Sequence, residues 1–204
     1  LGQLWMYNYS TNELTNIFSY PQDSFSDART LNTNLDINIA DMDEDGNIYF
    51  VVYGYMNRGE HEGKNGMSLY YYSTESMTTK ELFFVECDES YDIMKKETGR
   101  FTYYNAQADE FYYLLDETLY KVSLADMTQT ALVTDIPSAK YLVSANRKLI
   151  AYPNAAAEDQ VTVITIQNFE TGESYEKTCA NGDLLLALGF VENDLIYGIA
   201  HGAD

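Results

Sequence analysis

The chain has 204 residues, enough for one domain or two small ones that bury roughly 70% of the unfolded surface. Its hydrophobic content of 46% argues against wholesale disorder, and its 19 Tyr residues suit strands that keep one wet edge. A formal charge of −20, from 32 acidic against 12 basic residues, repels phosphate backbones and anionic headgroups; it argues against nucleic-acid partners and serves first to keep a Tyr-rich protein soluble.

The chain begins as if inside a strand. Leu1-Gly2-Gln3-Leu4-Trp5 has neither the basic nor the apolar region of a signal peptide. Met6-Tyr7-Asn8-Tyr9-Ser10-Thr11 then starts a phrase that returns as Leu69-Tyr70-Tyr71-Tyr72-Ser73-Thr74 and as Leu119-Tyr120-Lys121-Val122-Ser123. A looser copy runs from Val163 to Glu173. Each copy reads as a hairpin of two strands, C and D. Such repetition marks a solenoid, a propeller or an array.

Between these hairpins lies a second kind, A and B. Leu35–Asp41 alternates like a strand, Asp43-Glu44-Asp45-Gly46-Asn47 supplies turn residues, and Ile48–Tyr53 returns. The same grammar recurs at 100–115, at 141–152 and at 184–197. Four strands per unit, at roughly 40 to 50 residues, is the propeller blade. The expected order is an outer hairpin at 1–20, full blades at 35–86, 100–135 and 139–179, and an inner hairpin at 184–200. The apolar runs Tyr49–Tyr53, Phe111–Leu115 and Leu184–Leu188 do not alternate with polar residues, which predicts strands covered on both faces. Asp88–Thr98 is irregular, with room for one helical turn over Tyr91–Lys96. Both chain ends read as strand interiors, so a piece of a longer protein is expected. No run approaches the roughly 18 apolar residues of a membrane span, so membrane insertion of this segment is not expected.

The connection after strand B differs most between units. It is nearly absent at 116–118, short at 154–160, and long from Gly54 to Gly66, a rim position where propellers vary their chemistry. Tyr55, Arg58, His61 and Glu62 in that long loop are the candidate ligand-binding residues. Asp41, Asp43 and Asp45 have the alternate spacing of a calcium loop, but its ninth and twelfth positions are Tyr49 and Val52, so the hairpin-turn reading outweighs a Ca²⁺ site. No other cofactor is expected. Cys87 and Cys179 fall in separate units and are expected as free thiols. No nucleophile elbow, zinc-protease motif, phosphate loop or dinucleotide fingerprint is present.

The C–D hairpins, Leu119-Tyr120-Lys121-Val122-Ser123 and its copies, resemble blades of TolB-like and related WD-type bacterial propellers. Asp45-Gly46-Asn47-Ile48-Tyr49 is similar to the A–B turn of such blades. The resemblance implies a secreted or surface-anchored propeller, often part of a lipoprotein, that acts by binding; family members close more blades than the roughly four that these strands supply.

The fold expected is therefore all-β: a propeller, or part of one, built of four-stranded antiparallel blades. An open β-array or double sandwich of the same hairpins is the runner-up. The function expected is a non-enzymatic binding or scaffolding module at the surface of a bacterium or outside it, with a protein, peptide or glycan as ligand. The alternative is a carbohydrate-active enzyme with carboxylates lining the propeller axis.

Overall fold

A computed structural model describes residues 2–21, 34–137, 140–154 and 160–201. The expected start of the third full blade at residue 139, and most of the connection at 154–160, lie outside these. The chain comprises two units, residues 1–99 and 100–204.

The first unit holds a hairpin, β1 (Gln3–Asn8) and β2 (Glu13–Ser19), followed by a four-stranded antiparallel meander: β3 (Leu35–Met42), β4 (Ile48–Met56), β5 (Lys64–Ser73) and β6 (Thr78–Glu86). A short helix, α1 (Tyr91–Lys96), follows where one turn is expected. β4 is buried along nearly all its length because both its faces are covered. Ile48, Phe50, Val52 and Met56 pack with Ile17 and Phe18 of β2. Phe18 meets the Phe50 ring edge-on at 5.4 Å between centroids. Helix α1 packs against β4, and Tyr91 stacks on Tyr53 at 6.3 Å.

The second unit holds two such meanders and a hairpin. β7 (Thr102–Asn105), β8 (Glu110–Leu115), β9 (Thr118–Ser123) and β10 (Thr128–Val133) form one sheet. β11 (Leu142–Val143), β12 (Leu149–Pro153), β13 (Val163–Asn168) and β14 (Ser174–Thr178) form the next. β15 (Asp183–Val191) and β16 (Asp194–His201) pair alone. The three sheets are layered through two cores. Ile150 of β12 joins Phe101, Tyr112, Leu114, Leu119 and Phe169 in the first. Its chain neighbour Ala151, on the opposite face of the pleat, joins Ile164 and Leu185 in the second. One strand thus serves two neighbours, as stacked blades require.

The fold class is all-β, in four-stranded antiparallel blades of the propeller type, and the sixteen strands among the described residues amount to four blades' worth. β15 departs from expectation. Leu185 is buried, whereas Leu186 and Leu188 are exposed, because only one face of this strand meets another sheet of its unit.

The turns are more regular than the side chains that make them. In each of five hairpins a residue at the strand end is followed, four positions on, by one with positive φ: Asn8 by Asn12, Ser73 by Met77, Asn105 by Asp109, Ser123 by Met127, Asn168 by Gly172. In three of them the strand-end Asn closes the turn. Asn8 Oδ1 accepts from the N–H of Ser10 and Thr11, Asn105 Oδ1 from Gln107 and Ala108, and Asn168 Oδ1 from Glu170 and Thr171. This corrects the alignment of the first phrase: Leu4, not Met6, corresponds to Leu69. Matching Tyr and Ser identities moved that copy by two residues, whereas the turn geometry sets the true register.

Candidate functional site

The long connection of the first unit is shorter than the sequence suggests. β4 continues through Met56 and β5 begins at Lys64, so Tyr55 belongs to a strand and the loop is 57–63. Tyr55 is half-buried and donates its backbone N–H to Asn34 O at 2.8 Å. The loop is folded tightly, with Gly63 N–H donating to Met56 O at 2.8 Å and Glu62 N–H to Gly59 O at 3.2 Å. Gly59 has φ 87°, and a Cβ there would lie 3.2 Å from Cγ of Pro21. A side chain at this position is therefore opposed twice, by backbone conformation and by its neighbour.

Beneath this loop is a cavity of about 190 Å³, lined by loop residues Arg58 to His61 and by Tyr20, Pro21, Met56, Ser68, Tyr70 and Glu81. Arg58 is 5% exposed, and its Nη1 donates to Asn57 O at 2.9 Å. The Tyr20 hydroxyl clamps the Arg58 backbone, donating to its carbonyl at 2.9 Å and accepting from its N–H at 3.3 Å. Burial pushes the Tyr20 phenol above its ordinary value, and the negative charge of Glu62 adds to this, against the lowering effect of those backbone bonds.

A second part of the lining centres on Glu81. His61 Nε2 lies 2.7 Å from Glu81 Oε1, and the Tyr70 hydroxyl donates to Glu81 Oε2 at 2.7 Å. Tyr70 and Glu81 are direct partners across β5 and β6, just past an irregularity of register at Leu69. Burial, then the bond to the Glu81 carboxylate, hold the Tyr70 phenol protonated well beyond its ordinary range. The His61 ring lies flat on Phe84, with centroids 3.9 Å apart and planes 9° from parallel. A loop residue is thus fixed to a strand by one charge-assisted contact and one stacking contact.

Of the four candidate binding residues, Arg58 and His61 line the cavity, Glu62 lies near enough for its charge to act on Tyr20, and Tyr55 is not in the lining. Tyr20, Ser68 and Glu81 escape a reading of the sequence alone. Their contribution depends on the β5–β6 register and on the fold of the first hairpin, which a single sequence does not expose.

Asp41, Asp43 and Asp45 do not converge on a point. Asp43 is the hub of the β3–β4 turn: its Oδ1 accepts from Asp45 N–H at 3.1 Å and Asn47 N–H at 2.8 Å, and its Oδ2 from Asn47 Nδ2 at 2.9 Å. Asn47 Oδ1 accepts in turn from Thr74 N–H at 2.9 Å, joining this turn to the β5–β6 turn. Asp41 Oδ1 accepts from Met42 N–H. Among the described residues no group of three or more His, Cys, Asp or Glu is arranged to hold a metal ion. Cys87 and Cys179 are free thiols. No helix of the described residues is long and apolar enough to cross a membrane.

No protein-family model matches the sequence, and no curated protein is significantly similar to it. Among solved structures the chain is similar to TolB from Acinetobacter baumannii at 14% identity and a TM-score of 0.47, over 97% of this chain and 45% of that one. It is similar to the tricorn protease at 14% identity and a TM-score of 0.34, over 89% of this chain and 20% of that one. The chain spans less than half the length of either.

Proposed function

We propose that the chain is a non-enzymatic binding module, working at a bacterial cell surface or outside the cell, whose 57–63 loop cavity holds part of a protein, peptide or glycan ligand. The observation that carries this reading is the His61–Glu81–Tyr70 chain lining, together with buried Arg58, a cavity of about 190 Å³. Polar groups held by one another, on strands and on a tightly folded loop, are pre-organised donors and acceptors, the arrangement a small polar group needs to bind without ordering costs. Each Glu81 oxygen keeps a second lone pair for a ligand hydroxyl or N–H. The acidic surface and the resemblance of the C–D hairpins support the location.

A combined glycan and peptide array, probed with the intact chain, tests this. The expected result is a set of bound probes lost in Glu81→Gln and His61→Ala and retained in Glu176→Gln, which changes the exposed strand β14. Cleavage of a bound glycan, or binding indifferent to both cavity substitutions, contradicts the proposal.

A further inference from the structure

The last strand of each four-stranded sheet carries a row of backbone N–H and C=O groups with no further strand beside it among the described residues. Such an edge is a template for another strand, and proteins blunt it with charge, proline or cover. β6 carries Lys80, Glu81 and Glu86 and lies against β2, where Thr79 Oγ1 donates to Ile17 O. β14 carries Glu176 and Lys177. β10 reads Thr128-Gln129-Thr130-Ala131-Leu132-Val133, with no charge and no proline, and all but Val133 are exposed. A bulge at Leu132 twists the far end, leaving Thr128–Ala131 in regular pairing with β9.

The charges gather at the two ends instead. Asp126 precedes the strand, its Oδ1 accepting from Thr128 N–H at 3.1 Å, and Leu124 N–H donates to Asp109 O at 2.9 Å, which brings Asp109 to the same end of the sheet. At the other end stands Asp135, and Ile136 N–H donates to Glu117 O at 2.8 Å, which brings the Asp116-Glu117 turn alongside. All five of these acidic residues are exposed. The base across the ladder, Lys121 opposite Thr130, is engaged by Glu110 at 2.8 Å.

We infer that β10 is a docking edge for an extended peptide with an uncharged, strand-forming centre and basic residues on both sides. Main-chain bonds to β10 supply the affinity, and the bracketing carboxylates fix where the centre sits. A second copy of the chain fits poorly. Antiparallel pairing of two β10 strands sets Asp126 against Asp135, and parallel pairing sets like against like, so carboxylates meet carboxylates either way.

The test titrates the synthetic peptide KKTVTVTKK into the full chain and follows backbone amides by NMR, with EETVTVTEE and a backbone N-methylated KKTVTVTKK as comparators. The expected result is exchange protection of alternate amides within Thr128–Val133, binding that weakens as salt rises, and no binding by either comparator. Joint replacement Asp126→Asn and Asp135→Asn, both exposed, weakens binding about fivefold and flattens the salt dependence. The inference fails if KKTVTVTKK does not bind, if N-methylation leaves its affinity unchanged, or if the protected amides lie elsewhere. It also fails if β10 amides become protected without peptide as protein concentration rises, since the occupant is then a second copy.

Discussion

Met77 and Met127 occupy the same backbone position in two different sheets: each closes a four-residue turn with a left-handed conformation, at φ 54° and 58°. Neither side chain gains much there, since both are exposed. An L-residue in this region carries a conformational cost of about 1 kcal/mol that glycine avoids. Met77→Gly and Met127→Gly are therefore expected to raise stability slightly, by up to about 1 kcal/mol, against the usual direction of a glycine substitution. Gly172→Ala, at φ 75°, is expected to lower it by about 1 kcal/mol. Thermal melts of the three variants check the signs.

Phe169 sits in a turn yet is 2% exposed, its ring 5.0 Å from Phe101 and 4.9 Å from Tyr112. It closes the core between the β7–β10 and β11–β14 sheets. Phe169→Ala is expected to cost about 3–5 kcal/mol in denaturant unfolding, whereas Tyr175→Ala, on an exposed edge, stays within about 0.5 kcal/mol.

Glu110 supplies a pH signature. Burial alone would raise its carboxyl, but bonds from Lys121 Nζ at 2.8 Å and the Tyr112 hydroxyl at 2.5 Å more than offset this and hold it below the ordinary carboxylate range. A group whose folded value lies below its unfolded value stabilises the fold above the unfolded value, and that stabilisation is lost as pH falls through the folded one. Glu110→Gln is thus expected to be less stable than the parent at pH 7, with the gap closing below about pH 4. A gap constant across that range would assign the effect to packing.

The first hairpin is expected to be indispensable to its unit. Ile17 and Phe18 cover Ile48, Phe50 and Val52 of the central strand β4. Deleting residues 2–20 strips that face, and the truncated chain is expected to aggregate and melt earlier. Unchanged solubility and melting temperature would show that β4 finds other cover.

The meanders are legible in the sequence because strand period and turn residues are local: the runs 49–53 and 111–115 announce strands buried on both faces, and β4 and β8 are so. The turn register is less legible. Its left-handed position is held by Asn12, Met77, Met127 and Gly172 alike, so no residue type marks it. Leu186 and Leu188 show the limit of reading coverage from composition, since identical leucines are covered or bare according to which sheets lie beside them. The cavity was half visible. Arg58 and His61 stand out in a Gly-rich loop, but Glu81 becomes the partner of His61 only through the pairing of β5 with β6, and Tyr20 that of Arg58 only through the packing of the first hairpin.

The cavity under the 57–63 loop is the centre of the account, and residue-level mapping of a bound ligand addresses it most directly. Titrating the strongest array probe into ¹⁵N-labelled chain is predicted to shift the amides of Tyr20, Arg58, His61, Ser68, Tyr70 and Glu81 first, with the His61 ring signals moving alongside them. Shifts concentrated on other strands, with these six amides unmoved at saturation, would contradict it.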